Sequence, residues 1–366
     1  MLAPLVALAV AAASAPPDER AGIWEGTIGD LPVRACFAPR GWGALGSYYY
    51  LSRRRLIALD AEAGSGGTLR ENDARDSGAP RWTIENAAAG RLTARWTHRG
   101  RTLPVRLSRI APGNAEQDHC SGMAYHGPRL AGVRTVTARA SLDGVEYTRI
   151  TLDHGGRFEA SVETFALGGS GAAIDRLNNT LRQSLTGDPP EWFDCIRAAL
   201  ERLPNEGGFD QRLAPTLISR RWMGVTEQYD HYCGGNHPNH GRRYRTFDLA
   251  SGAEVDLHDW LNGAAVSRQR FEGEDEEIKT LVPALRTLIL AGWTAEGDCE
   301  GVVESTEFWN IGLRRDALVF APDLPHVSQA CGEEFVVPFA RLQPFLTEQG
   351  AANLRALQAE RAGRDR

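Results

Sequence analysis

Three imidazoles fall within ten residues of one another. His231, His237 and His240 stand in the run Tyr229-Asp-His-Tyr-Cys-Gly-Gly-Asn-His-Pro-Asn-His240, with Asp230 and Cys233 beside them. Neutral imidazole is a good ligand for Zn²⁺, and a three-histidine set leaves a fourth position open for water, as a metal-dependent hydrolase of cell-wall material would require. The spacing offers no helical His-x-x-x-His pair, and Gly234-Gly235 places the run on a turn after a strand. A turn in which glycine supplies positive φ and one histidine bonds the backbone accounts for the same residues without a metal. That simpler account is preferred, with no cofactor. Zinc on His231, His237 and His240 is the alternative.

Other chemical signals are weaker. Gly168-Gly169-Ser170-Gly171-Ala172 approaches the G-x-S-x-G nucleophile turn but lacks its last glycine, so Ser170 reads as a helix cap. No Lys-Ser/Thr pair follows to make a phosphate loop. The acidic run 272–277 lacks the alternating ligands of a calcium loop and reads as a solvated helix start. Glu304 and Glu307 offer paired carboxylates without an identifiable acid partner. No catalytic residue is assigned.

The elements that hold these residues follow from composition and pattern. The chain has 366 residues, 42% hydrophobic and 24% charged, with 41 Lys+Arg against 47 Asp+Glu. An acidic balance argues against a nucleic-acid partner, and no stretch reaches the roughly 18 apolar residues of a membrane span. Lys279 is the one lysine among the 41 basic residues, a bias that reads as codon usage. Residues 1–15 read as a signal peptide, with a short apolar core and small residues at Ala11-Ala12-Ala13, although no Lys or Arg precedes the core. Six widely spaced cysteines without a C-x-x-C pair suit disulfides in an oxidising compartment, periplasmic or secreted. The domain division groups Cys36 with Cys120. Cys195–Cys233 and Cys299–Cys331 complete the expected set, though those four cysteines can be permuted.

The expected fold class is α+β. Residues 20–115 read as a small antiparallel barrel or sandwich. Leu92-x-Ala94-x-Trp96 and Leu103-x-Val105-x-Leu107 form a hairpin across Arg99-Gly100. Trp24, Trp42, Trp82 and Trp96 belong to its core, and Arg53-Arg54-Arg55 to a solvated edge or turn that could meet an anionic wall polymer. Residues 116–134 read as a linker. Beyond it come strands Val145–Leu152 and Arg157–Ala166, and a helix carrying Ile174, Leu177, Leu181 and Leu185. A second helix, opened by Pro189-Pro190, carries Phe193, Ile196, Leu200 and Leu203. Strands Ala214–Arg220 and Met223–His231 follow, then a helix over Glu276–Ala291 bent at Pro283. Phe308–Leu313 and Leu318–Phe320 make a hairpin, and the tail from Arg341 reads as helical, ending in a charged stretch over 351–366. Blocks of strand and helix without β-α alternation predict a mixed or antiparallel sheet over 135–350.

The passage Gly234-Gly235-Asn-His237, followed by Tyr244-Arg-Thr246-Phe247-Asp248-Leu249, Gly252 and Val255-Asp256-Leu257-His-Asp259-Trp260-Leu261, resembles a bacterial extracytoplasmic family. Leu313, Leu318-Val319-Phe320, Gly332 and Val336-Val337-Pro338-Phe339 resemble its closing hairpin and last strand. The family is the domain of unknown function in the outer part of the anti-sigma factor RsiV and beside the deacetylase domain of PdaC-type proteins. The resemblance covers roughly residues 135–345. It implies an α+β envelope domain that binds something, with Tyr232, Gly234, Gly235 and His237 as candidate ligand contacts. Asp323-Leu324-Pro325-His326 stands where the family has a tyrosine, and the cysteines are an addition. In the Thr246–Leu261 passage a strand turns at Ala250-Ser251-Gly252, returns through Val255–Leu257, and is followed by a turn capped by Asp259. The function expected is that of an exported, non-enzymatic envelope protein binding a protein or peptidoglycan-related ligand, in envelope sensing or lysozyme-type inhibition. Oligomeric state is not legible.

Overall fold

The structure, a computed structural model, describes residues 19–38, 46–61, 67–71, 78–113, 120–201, 205–271, 277–294 and 297–364. The signal-peptide reading, Trp42 and acidic residues 272–276 lie outside the described residues. The chain clusters into two compact units. The first is Met1–Ala131 with Leu200–Glu206, the second Gly132–Ala199 with Gly207–Arg366.

The first unit is a closed eight-stranded antiparallel barrel. Its strands are β1 (Gly22–Ile28), β2 (Leu31–Phe37), β3 (Gly46–Tyr50), β4 (Ile57–Ala61), β5 (Thr68–Glu71), β6 (Arg81–Ala88), β7 (Arg91–His98) and β8 (Arg101–Pro112), with β1 pairing both β2 and β8. Alternation explains the closure, because every second residue must leave water. Trp24, Val33, Tyr48, Leu59, Trp82, Leu92 and Val105 fill the interior. The hairpin β7–β8 turns on Arg99 (φ 49°) and Gly100 (φ 78°), the positive-φ pair of a two-residue turn. Arg53 and Arg55 are exposed on the β3–β4 turn.

Inside the barrel Glu71 is buried, and its Oε1 accepts from Tyr48 Oη (2.5 Å), Trp96 Nε1 (2.6 Å) and Trp82 Nε1 (3.3 Å). The stretch read as a linker is packed structure from Cys120 onward. Helix α1 (Met123–His126) and a 3₁₀ turn (Gly127–Leu130) hold Tyr125 against Ile23, Cys36 and Tyr49, with Cys36 bonded to Cys120. One large aromatic side chain and a crosslink outweigh the local Pro and Gly content.

The second unit holds a mixed seven-stranded sheet in the order β15-β14-β13-β12-β11-β10-β9. Its strands are β9 (Arg134–Leu142), β10 (Val145–Asp153), β11 (Ala160–Leu167), β12 (Gly208–Ile218), β13 (Trp222–Tyr232), β14 (Asn239–Asp248) and β15 (Ala253–Glu254), with β11 and β12 parallel. Strand β9 escaped the sequence reading although Val136, Ala138, Ala140 and Leu142 alternate along it, because two of the four are alanines and most of the strand is exposed. Helices α2 (Ala172–Leu181) and α3 (Glu191–Ala198) follow β11, burying Leu177, Leu181, Phe193 and Ile196. Ser170 caps nothing: the N-cap of α2 is Gly171 and makes no side-chain bond. Pro190 is the N-cap of α3, just before its first turn.

The helix expected over Glu276–Ala291 is instead a strand and a helix. Strand β17 (Glu277–Leu281) pairs with β16 (Val266–Arg270), and α4 (Pro283–Ile289) begins at Pro283. Proline lacks an N–H and suits a first turn, so it starts this helix where a bend was expected. Asp256 caps the 3₁₀ turn Leu257–Trp260 by accepting from the His258 amide (2.9 Å), a role expected of Asp259. Helix α5 (Cys299–Ser305) precedes a three-stranded antiparallel sheet of β18 (Trp309–Leu313), β19 (Ala317–Pro322) and β20 (Phe335–Pro338). The expected charged tail lies largely in α7 (Glu348–Arg364), which follows α6 (Phe339–Leu342) and buries Leu354 and Leu357. Bridges Cys195–Cys233 and Cys299–Cys331 complete the pairing of all six cysteines.

Candidate binding cleft

Strands β13 and β14 form a hairpin whose register decides which histidines meet. His231 opposes Asn239, and Asp230 opposes His240, so the side chains of His231 and His240 leave opposite faces of the sheet. His231 stacks on Phe209 at 4.0 Å and 11°. Its Nε2 is buried and unpartnered among the described residues. Burial holds this imidazole below its ordinary pKa, against the opposing pull of Glu227 and Asp230.

On the other side, His237 at the hairpin tip stacks on His326 at 4.3 Å and 24°, and His240 meets the same ring edge-on at 5.2 Å. Nδ1 of His237 donates to the Pro238 carbonyl (2.9 Å). The zinc set of His231, His237 and His240 is therefore split by the two-residue period of the strand. Among the described residues, no group of three or more His, Cys, Asp or Glu side chains is disposed to hold a metal ion. His326 entered the sequence reading only as a departure from a motif. It lies on the 3₁₀ turn His326–Cys331, too far along the chain for spacing to reveal the contact.

The remaining residues of the glycine-histidine motif divide into scaffold and open surface. Gly234 has φ +92°, and a Cβ there would stand 2.7 Å from the Ala199 Cα. Cys233 is bonded to Cys195 and Tyr232 pairs with Gly208, so this side of the turn is fastened to α3 and β12. Gly235 and His237 are exposed, and a Cβ on Gly235 would meet only the His237 carbonyl at 3.8 Å.

Beside the three-histidine contact, a cleft of about 530 Å³ runs between the hairpin and the β18–β19 edge. The hairpin contributes Gln228, Asp230, His240 and Arg242. The opposite wall contributes Asn310 and Asp323, then Gln329, Glu333 and Glu334 around Cys331. Close approach depends on Gly312, since a Cβ there would lie 2.6 Å from the Tyr244 ring.

Three charged groups of the cleft, Arg242, Glu333 and Glu334, are fixed in place. Glu334 pairs with Arg242 and with Arg314 (2.6 Å), and Trp293 Nε1 donates to Glu333 (3.0 Å). Burial alone would raise the Glu334 carboxyl. The Tyr244 hydroxyl, Arg242 and Arg314 outweigh it and hold the group below the usual carboxylate range. Tyr244 is pushed up, first by burial and then by the same carboxylate. Oε1 of Gln329 is buried without a partner among the described residues, leaving one acceptor for a ligand or water to satisfy. The cleft thus has the size of a ligand site and offers oriented donors and acceptors. On the opposite face of the hairpin a second recess of about 380 Å³ holds Glu227, bonded by Gln211 (2.6 Å), with Arg243 and Arg245 nearby. Glu304 and Glu307 are exposed at the end of α5 and before β18, away from both recesses.

No family model matches the sequence, and no curated protein matches it. Solved structures align with part of the chain, among them the following two. One, from Bacteroides fragilis, is 14% identical over 62% of this chain and 96% of its own, with a TM-score of 0.37. The other, from Pseudomonas aeruginosa PAO1, is 12% identical over 61% of this chain and 98% of its own, with a TM-score of 0.32. Both are DUF3298 family proteins.

Proposed function

We propose that this chain is an exported, non-enzymatic envelope protein that binds a protein or cell-wall ligand in the β13–β14 cleft, in the periplasm or outside the cell. The observation that carries this reading is the preorganised wall. Glu334 clamped by Arg242 and Arg314, and Glu333 held by Trp293, present fixed polar groups to an open recess, as recognition sites do. Three disulfides with all six cysteines paired suit an oxidising compartment, and no helix among the described residues is long and apolar enough to cross a membrane. Envelope sensing of the RsiV type, or inhibition of lysozyme-like enzymes, is the special case in which the ligand is a muramidase.

The test is retention of muramidases and of solubilised peptidoglycan fragments on the immobilised full chain at micromolar concentration. Binding of either class, weakened at least tenfold by Arg242→Ala with Glu334→Gln, supports the reading. Unchanged binding by that variant, or retention of neither class, overturns it.

A further inference from the structure

The cleft leaves the barrel unit without a role, and the charge of that unit runs against the rest of the chain. It carries 17 Arg and 14 Asp+Glu, whereas the second unit carries 24 Lys+Arg and 33 Asp+Glu. Part of the surplus is arranged in rows. Leu92, Ala94, Val105 and Leu107 point into the barrel, so alternation turns Arg91, Thr93 and Arg95 of β7, and Thr102, Arg106 and Ser108 of β8, outward. Arg106 faces Thr93, which sets it diagonally between Arg91 and Arg95, about 7–8 Å from each. Arg81 of β6 lies opposite Thr97, and Arg99 is exposed at the β7–β8 turn.

Among the described residues, two carboxylates approach this flank. Glu85 pairs with Arg95 at 2.8 Å, with both side chains largely exposed, and Glu25 on β1 is engaged by Arg34. An exposed pair contributes at most about 1 kcal/mol, so Glu85 yields readily to a competing anion. Among the described residues no ion pair joins Arg91, Arg99 or Arg106.

We infer that the β6–β7–β8 flank is a second binding surface, and that it takes an anionic envelope glycan, an extended sugar chain bearing phosphate or carboxylate groups at regular intervals. The guanidinium fork matches such groups bidentately, and a zigzag of arginines rooted about 7–8 Å apart (the diagonal spacing of neighbouring strands) can meet successive charges on one extended chain. The hydroxyls of Thr93, Thr97, Thr102 and Ser108 lie between the arginines and can bond sugar hydroxyls. A membrane surface fits less well. Peripheral membrane binding adds inserted apolar side chains to basic ones, and on these rows only Ile110, at the far end of β8, is large, apolar and exposed.

The experiment titrates the full chain with heparin, as a soluble polyanionic glycan, at several salt concentrations, beside acidic phosphatidylglycerol vesicles. Saturable binding should weaken with salt at a log–log slope of about −2 to −3, the value for three or four neutralised charges on a flexible chain. Arg91→Ser with Arg95→Ser and Arg106→Ser should lose at least tenfold in affinity and about two units of that slope while keeping the wild-type circular dichroism. Arg53→Ser with Arg55→Ser, on a different turn of the same unit, should change affinity less than threefold. Equal losses in the two variants, an unchanged triple variant, or binding to vesicles but not to heparin would each overturn the inference.

Discussion

His231 shows what a buried stack does to an imidazole. Its folded-state pKa lies below the ordinary value near 6.5, so between the two values the unfolded chain binds a proton that the folded chain does not. Stability contributed by this residue is present above about pH 6.5 and declines as pH falls toward the depressed folded value. His231→Phe, which keeps the ring on Phe209, is expected to flatten the pH dependence of urea midpoints in that window. A slope equal to wild type would show that the burial is of no consequence. Lys279 makes a different point. Its ammonium sits 2.8 Å from Asp256 and 2.6 Å from Asp259, and Asp256 also accepts from the His258 ring (2.7 Å). Burial opposes the charge on Lys279, but the two carboxylates outweigh it. Both aspartates are partly exposed, so Lys279→Met should cost only about 1 kcal/mol in denaturant melts. A loss several times larger would mean that the strand–turn junction depends on this amine.

At the scale of elements, the hairpin tip and the barrel interior each rest on few atoms. Gly234→Ala must accommodate a Cβ 2.7 Å from backbone at positive φ, so it should destabilise the second unit by about 2 kcal/mol or more. Gly235→Ala, whose Cβ would make only an ordinary contact with the His237 carbonyl at 3.8 Å, should stay within about 0.5 kcal/mol of wild type. Similar melting curves for the two would remove the structural account of the motif. In the barrel, Glu71→Ala strips three donors, Tyr48, Trp82 and Trp96, of their acceptor. Each unsatisfied donor costs about 1–3 kcal/mol, so a loss of at least about 3 kcal/mol is expected by thermal unfolding, with a changed tryptophan emission.

At the scale of the molecule, crosslinks close each unit separately, and in the first unit a buried ion pair, Arg129–Glu206, joins residues far apart along the chain. The bridges span 84, 38 and 32 residues. In the loop-entropy account each contributes at most about 4–5 kcal/mol. Arg129, fully buried, is gripped by both oxygens of Glu206, by the Arg54 carbonyl (2.9 Å) and by His126 Nδ1 (3.0 Å). Glu206 belongs to the short return segment Leu200–Glu206 that completes the barrel unit. Its removal would strand a buried guanidinium, so Glu206→Ala should destabilise that unit by about 3–5 kcal/mol, read as an earlier unfolding transition. A barrel expressed without residues 200–206 should show the same deficit.

Period-two alternation with turn glycines was enough to read an all-β domain and its β7–β8 hairpin, though not whether it closes as a barrel or stacks as a sandwich, and apolar spacing was enough for α2 and α3, because both signals lie within a dozen residues of chain. The glycine-histidine run was legible as a turn for the same reason. What local pattern left open was every choice made by contact between distant segments. Glu276–Ala291 carries helical spacing, yet it splits because β16 offers β17 a partner and Pro283 has no amide to continue a helix. The three histidines look like a ligand set along the chain, but strand register sends His231 to Phe209 and brings His326 to the other two. The cleft wall is likewise made from residues on β13–β14 and around Cys331, far apart in sequence. Strand pairing and side-chain packing are settled by the free energy of the assembled whole, and no short window of residues contains that sum.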